Sequence, residues 1–259
     1  MTDQEDDFDD RIEGRNAVIE ALRAGVVLDK VYIARGSSDD GGRNSLGFIA
    51  GAARAAGAVV VDADKRKLDG MSKTGSHQGV IAVCSATEYV SVEDILAAAA
   101  EKNETPLIII CDEITDPHNL GAIIRTAEAA GAHGVIIPKR RGAGATAVVA
   151  KASAGAVFHV PVARVPNTAQ AIAALKKAGV WIYGAVSGGE TPLWDTDFLG
   201  AAAIVIGSEG DGIGRLVLSE CDFTVGIPMS GKVSSLNASV SASLLMYEVL
   251  RQRRAVEGN

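Results

Sequence analysis

The sequence predicts an α/β protein whose C-terminal part is built on a mainly parallel sheet. Three observations carry that reading. Apolar runs of strand length alternate with helical segments from residue 107 to residue 253, the order that folds into a parallel sheet covered by helices. One run, Leu107–Cys111 (LIIIC), has no polar alternation, which is the pattern of a strand buried on both faces. Aromatic residues make up only 4% of the 259 residues, while Ala, Gly and Val are abundant, so the core relies on small side chains and close backbone approach.

Composition narrows the class further. Hydrophobic residues are 47% and charged residues 22%, ordinary for a globular protein of one large domain or two small ones. No apolar run reaches the roughly 18 residues of a transmembrane helix. The acidic start, Met1–Asp10, reads as neither a signal peptide nor a transit peptide, so a cytoplasmic location without a membrane partner is expected. Cys84, Cys111 and Cys221 are far apart and form no C-x-x-C pair. That spacing argues against a disulfide framework and against a metal site.

Residues 1–10 read as a disordered acidic tail. Residues 11–86 read as a small α/β unit. Arg15–Ala24 has helical spacing and stops at Gly25. Lys30–Ala34 is a strand, Leu46–Ala56 a helix stopped by Gly57, and Ala58–Val61 and Gly79–Val83 are strands. The polar segment Ser72–Gln78 lies between them as a loop. Residues 87–105 read as a linker carrying a short helix from about Val92 to Lys102. From there strands are predicted at Leu107–Cys111, Gly134–Pro138, Phe158–Pro161, Val180–Ala185, Ala202–Ile206 and Phe223–Ile227. Helices are predicted at Asn119–Ala130, about Thr146–Ser153, Thr168–Ala178 and about Ser235–Arg253.

Net charge is −7, but residues 1–10 hold six acids and no base, and so supply most of it. No Asp or Glu occurs between Glu128 and Glu190, an interval that contains Lys139, Arg140, Arg141, Lys151, Arg164, Lys176 and Lys177. Such a stretch can form a local phosphate-binding face. It can equally be a solvated surface neutralised by acids from elsewhere in the fold, and charge alone does not decide between the two.

Glycine motifs raise the question of a dinucleotide. Gly142-Ala-Gly144-Ala-Thr-Ala147 fits G-x-G-x-x-[GA], but the acid that would hold a ribose about 20 residues later is missing. Arg140 and Arg141 also separate the motif from its strand. In Gly210-Asp-Gly212-Ile-Gly214, Arg215 occupies the place of the third glycine. A classical nicotinamide-dependent enzyme is disfavoured.

Three other segments sit at strand ends, where open α/β sheets bind ligands. The first is Asp116-Pro-His-Asn119-Leu-Gly-Ala-Ile-Ile-Arg125. Asn119 is a good N-cap type. Arg125, among apolar neighbours, calls for an anionic partner, either a substrate or a buried acid such as Glu128 or Glu209. The second is Ile206-Gly207-Ser-Glu209-Gly210, where a glycine turn lets backbone N–H groups approach a ligand and Glu209 binds the ligand or caps a helix. The third runs from Ile227 through Ser235, Leu236 and Asn237 to Val240. Ser235 and Asn237 are capping types, and such convergent polar groups also suit a ribose, a carboxylate or an adenine edge.

Together, N-L-G-A-I-I-R-T-A (119–127), I-G-S-E-G (206–210) and I-P-M-S-G-K-V-S-S-L-N-A-S-V (227–240) resemble the SpoU-type (TrmH-like) family of RNA ribose methyltransferases, in order and spacing, across about residues 106–254. The N-terminal part is similar to that of bacterial 23S ribosomal RNA guanosine 2′-O-methyltransferases, on Gly14-Arg-Asn-Ala-Val-Ile-Glu-Ala-Leu and His77-Gln-Gly-Val-Ile-Ala. The resemblance implies a C-terminal α/β domain with a deep trefoil knot at about residues 202–240, preceded by a small domain of the L30e ribosomal-protein fold. It implies S-adenosylmethionine bound near Gly207, Ile227 and Leu236. It assigns the catalytic site to Asn119, Arg125, Glu209, Ser235 and Asn237, with no metal, in a homodimer joined through the knotted domain. RNA is the implied partner, with Arg15, Asn16, Lys73, His77 and Gln78 as contact candidates, although a structural hydrogen bond is an equal role for His77. A guanosine of 23S rRNA near the peptidyl-transferase centre is the leading target. The alternatives are the same chemistry on tRNA or another rRNA nucleotide, and a non-catalytic RNA-binding or assembly protein.

Overall fold

The computed structural model describes residues 10–35 and 45–257; the acidic tail expected at residues 1–10 lies, but for Asp10, outside them. The chain divides into two compact units, the first running to Glu88 and taking in Ala145–Ala147, the second holding the remainder.

The first unit runs β1 (Arg11–Glu13), α1 (Arg15–Arg23), β2 (Leu28–Ala34), α2 (Leu46–Ala55), β3 (Val59–Ala63), α3 (Lys65–Met71) and β4 (Val80–Cys84). Its sheet has the order β1-β4-β2-β3, with β2 and β3 parallel and the other pairs antiparallel. Val18, Val31, Ile49, Ala53 and Val80 form the core between helices and sheet. Ser45 and Asp64 cap α2 and α3 by accepting from Phe48 N and Lys67 N.

The second unit runs α4 (Val92–Glu101), β5 (Leu107–Cys111), α5 (Pro117–Ala129), β6 (Gly134–Pro138), α6 (Ala147–Ala152), β7 (Val162–Val165), α7 (Thr168–Lys177), β8 (Trp181–Ala185), β9 (Thr191–Pro192), β10 (Ala202–Ile206), α8 (Arg215–Ser219), β11 (Phe223–Gly226) and α9 (Ala238–Glu257). Its strands form one parallel sheet in the order β7-β6-β5-β10-β8-β11-β9. All five residues of β5 and all five of β10 are buried, as LIIIC implied. Each fully buried Ile there contributes about 1.5–3 kcal/mol.

Three expectations change. The segment 87–105 is not a free connector. Val92, Ile95 and Ala99 of α4 are buried, and Val92 and Ile95 share the second unit's core with Ile108, Ile136 and Leu175. A side chain at Gly134 would meet Ile95 Cδ1 at 2.5 Å, so this glycine lets α4 lie close against β6. The strand expected at Phe158–Pro161 is instead a 3-10 turn, Ala156–Phe158, followed by β7 from Val162. The N–H groups of Phe158 and His159 are used inside that turn and Phe158 is 60% exposed, so pairing starts later. Helix α5 starts at Pro117 and is capped by Asp116, whose side chain accepts from His118 N; Asn119 lies inside its first turn. An Asp-Pro start, with the ring at N1, outcompetes the later Asn.

Parallel register aligns the strand ends. Cys111, Ile206 and Ala185 are direct neighbours at the ends of β5, β10 and β8. The loops that begin at Asp112, Gly207 and Val186 therefore leave the sheet side by side. No helix among the described residues is long and apolar enough to cross a membrane.

Helix α5 approaches α6 at Gly121, where an added Cβ would lie 2.4 Å from Ala152 Cβ and 3.0 Å from its backbone. Gly121→Ala is expected to lower unfolding free energy by about 1–3 kcal/mol through overpacking, read from the urea midpoint.

Candidate functional site

The loops after β10 and β11 and the turn after β8 enclose a cleft of ≈ 490 Å³. Ile206, Ile227, Met229 and Leu236 give it apolar wall, and Glu209 and Asp211 stand among its polar lining. Gly207 is a glycine for a packing reason. A Cβ there would lie 2.1–2.4 Å from the backbone of Gly212 and Ile213. Ser208 and Gly212 close that loop with two mutual backbone hydrogen bonds of 3.0 Å, and Gly212 takes φ +68°. The glycine is therefore required by the loop's crossing on itself, beyond any ligand it meets.

Asn119 on the first turn of α5, Glu209 in the loop after β10 and Asn237 before α9 come together. Asn119 Nδ2 donates to Glu209 Oε1 at 3.1 Å. Asn237 Nδ2 donates to Asn119 Oδ1 at 2.9 Å and also to Glu209 Oε1. Asn237 Oδ1 accepts from Ser239 N, Ser239 Oγ and Val240 N, so this one amide caps α9 and binds the network at once. Ser235 is not the cap; it is exposed and lines the cleft with Leu236 and Ile227. A second cleft of ≈ 370 Å³, lined by Glu113, Thr115, Asp116, Asn119 and Glu209 among others, meets the first along Ser208–Asp211.

Arg125 pairs with neither Glu128 nor Glu209, the acids that its sequence neighbours allowed for as buried partners. Its side chain is exposed, lines neither cleft, and makes no ion pair or hydrogen bond among the described residues. Leu120, Gly121, Ile123, Ile124 and Ala127 take the buried face of α5 and leave position 125 on the outside. Close by, Thr126 Oγ1 and Ser243 Oγ, 3.0 Å apart, join α5 to α9.

Asp112 is the residue that sequence reasoning missed. Its N–H donates to Ile206 O at 2.8 Å and its Oδ2 accepts from Gly214 N at 2.8 Å. One residue thus grips both ends of the Gly207–Gly214 loop that carries Glu209. It is 4% exposed. Burial pushes its carboxyl above the usual range, opposed by the Gly214 N–H. The only signal in the sequence is an acid directly after an all-apolar strand. Burial also pushes the Cys111 thiol up to about 12 and the Cys221 thiol up to about 11, so neither is a nucleophile near neutral pH. Among the described residues no cluster of three or more His, Cys, Asp or Glu is arranged to hold a metal ion.

Comparison with known proteins places this geometry in a family. The SpoU rRNA methylase family matches residues 106–247, and the RNA 2′-O ribose methyltransferase substrate-binding family matches residues 11–90. The chain belongs to the SpoU rRNA methylase family. A Bacillus subtilis protein, YacO, assigned to the TrmH family of tRNA/rRNA methyltransferases, is 47% identical over 95% of this chain and 97% of its own length. The SpoU methyltransferase AviRb of Streptomyces viridochromogenes, solved in complex with AdoMet, has a TM-score of 0.60 at 27% identity, over 95% of this chain and 90% of that one. A TrmH/SpoU tRNA-modifying enzyme of A. aeolicus has a TM-score of 0.54 at 27% identity, over 64% of this chain and 86% of that one. The chemistry of the SpoU family is methyl transfer to RNA from S-adenosylmethionine.

The unit matched as substrate-binding presents an ordered polar loop. Glu13 accepts from Ser72 Oγ and Thr74 Oγ1, both at 2.6 Å, and from the N–H groups of Lys73 and Thr74. These bonds, led by Ser72, hold its carboxyl down at about 2. Arg15 donates through N and Nε to Gln78, which takes φ 49°. Gly79 N donates to His77 Nδ1, so Nε2 carries the proton and donates to Asp69 Oδ1 at 3.0 Å. With both ring nitrogens engaged and the side chain nearly buried, His77 holds the turn.

Asp112→Ala leaves the Gly214 N–H unpaired and is expected to cost about 1–3 kcal/mol in urea unfolding, whereas Asp112→Asn, which keeps an acceptor oxygen, retains most of that stability. Glu13 has a depressed pKa, so its contribution is full above the ordinary glutamate value of 4.5 and is lost as pH falls toward about 2. Glu13→Gln is expected to flatten that part of the stability–pH curve, measured by thermal unfolding at each pH.

Proposed function

We propose that this chain transfers a methyl group from S-adenosylmethionine to a ribose 2′-hydroxyl of RNA, with a guanosine of 23S rRNA as the leading target. The observation that carries the reading is the Asn119–Glu209–Asn237 network, two amides and a carboxylate from separate segments locked together around Glu209, which lines both clefts.

The larger cleft suits the methyl donor. Its volume lies in the range of cofactor sites. Among the described residues its lining holds the carboxylates of Glu209 and Asp211 and no Lys, Arg or His, a balance that favours a cationic ligand. Ile227 and Leu236 supply apolar surface for an adenine, and Ser235 and the Gly207 loop supply hydroxyl and backbone groups. Bound there, S-adenosylmethionine supplies a methyl group already activated by its sulfonium charge.

The protein's part is to position and to stabilise. Asn119 and Asn237 anchor Glu209 through Oε1, and Oε2 accepts from a ribose hydroxyl. Such fixed placement supplies a large share of the rate. The hydroxyl proton passes to Glu209 Oε2 as the ribose oxygen takes the methyl group, and Arg125 stabilises the charge that develops on that oxygen. Because Arg125 lines neither cleft of its own chain, the site is completed by Arg125 of the partner subunit in a homodimer. Val240 and Tyr247, exposed on α9 beside α5, support that face as the dimer contact. We further read residues 202–240 as the family's trefoil knot, in keeping with the tight crossings at Gly207 and at Gly189, whose Cβ would meet Val225 and Gly226 at 2.6 Å. The mixed four-stranded first unit is read as an L30e-like domain that grips the RNA.

A second reading keeps the chemistry and changes the substrate to tRNA; it is favoured by the likeness to the A. aeolicus tRNA-modifying enzyme. Methyl incorporation from labelled cofactor, into rRNA against tRNA, separates the two. Transfer to neither leaves a non-catalytic RNA-binding protein. Arg125→Ala is expected to lower methyl transfer by about 10²-fold or more with cofactor affinity unchanged in calorimetry; full activity in that variant contradicts the assignment.

A further inference from the structure

Two non-glycine residues in left-handed conformation face each other across adjacent loops of the second unit. Glu113 takes φ 57° after β5, and Arg141 takes φ 60° after β6. Arg141 Nη1 lies 2.9 Å from Glu113 Oε1. The left-handed region crowds the Cβ of an L-residue against its own backbone, so both positions are strained. The ion pair does not offset this. The Arg141 side chain is 80% exposed, and exposed pairs contribute little because water and salt screen them. Strain that local contacts do not repay collects at functional positions.

The turn that carries Arg141 is rigid. Lys139 N donates to Val165 O at 2.7 Å before it, and Ala143 N donates to Ile114 O at 2.7 Å after it. At Gly142 an added Cβ would lie 2.9 Å from Pro138 Cγ, so the chain can close there only as glycine. The turn therefore projects Arg140 and Arg141 from fixed points. Arg140 is exposed, and its side chain has no ion-pair or hydrogen-bond partner among the described residues. Glu113, the acid that Arg141 touches, lines the smaller cleft together with Asn119 and Glu209. No Asp or Glu occurs in the sequence from 129 to 189 on either side of this turn.

We propose that the Arg140–Arg141 turn is a phosphate contact that holds the RNA backbone at the mouth of the Asn119–Glu209 cleft. This rests on the reading of the chain as an RNA methyltransferase and names where its catalytic unit grips the strand. Two adjacent guanidiniums on a rigid turn, without an apolar side chain between Lys139 and Gly142, match phosphate oxygens in bidentate geometry rather than a protein surface. Glu113, which lines the cleft, lies against Arg141, and a phosphate of bound RNA takes its place. The turn, rather than the ion pair, sets where Arg141 stands, and Glu113 competes weakly with RNA for it.

The test measures binding of an unmodified 23S rRNA transcript, with a tRNA pool as second probe, across a salt series. R140A/R141A is expected to weaken binding of the RNA that the wild-type protein methylates, and to make log K against log salt shallower by about 1–2. R140K/R141K is expected to keep that slope, and Glu113→Gln, which releases Arg141, to bind more tightly than wild type. Cofactor affinity and thermal midpoint are expected to be unchanged in R140A/R141A. Unchanged RNA affinity and slope in R140A/R141A, with wild type active, overturns the phosphate contact and leaves the methyltransferase reading standing. Loss of cofactor binding or of folding in both double variants overturns it in favour of a structural turn. Wild-type protein that neither binds nor methylates either RNA overturns the parent reading, and this proposal with it.

Discussion

Asp112 holds both ends of one loop, and the candidate site hangs on that grip. Its backbone N–H fixes Ile206 at the end of β10, and its carboxylate fixes Gly214 at the start of α8. Between them the chain has just enough length to fold back on itself, with Gly207 against Gly212 and Ile213 at a separation no side chain allows. Glu209 sits at the outer end of that closed loop. Its position is therefore set jointly by a buried carboxylate just beyond the neighbouring strand and by the loop's own glycines.

The parallel register makes the grip possible. Because β5, β10 and β8 end level, the first residues of three loops lie beside each other. Asn119 arrives on α5, Asn237 arrives as the cap of α9, and Glu209 ties them through one oxygen. An amide that is both a helix cap and a network donor links helix formation to site geometry: α9 cannot fray at its start without loosening Glu209. The contact between α5 and α9 at Thr126 and Ser243 reinforces the same link from the other side.

Much of this is legible in the residues, and the exceptions have physical causes. The buried strands are plain from unbroken apolar runs such as LIIIC. Asn237 is readable as a cap because it precedes small polar residues at a helix start. Asn119 has the residue type of a cap, but Asp116 with Pro117 makes the stronger start three residues earlier. The apolar neighbours of Arg125 in sequence suggest an anionic partner, either a substrate or a buried acid. In a helix those neighbours turn inward at spacings of three and four, and position 125 is left outside. Residues 87–105 resemble a linker because an Ala-rich helix with polar ends hides its anchoring residue, Ile95, whose seat is provided by a glycine 39 residues away. Asp112 is illegible for the same kind of reason, since its partner Gly214 is 102 positions distant. Local patterns do not report which strands become neighbours.

The activity proposed for this site is methylation of a ribose oxygen of RNA. Its most direct test is mass spectrometry of nucleosides from RNA incubated with the protein and isotopically labelled S-adenosylmethionine. Label is expected in a 2′-O-methylated nucleoside, at one position, dependent on Glu209 and Arg125. Label on a base, or none in RNA from a strain that lacks the gene, would contradict it.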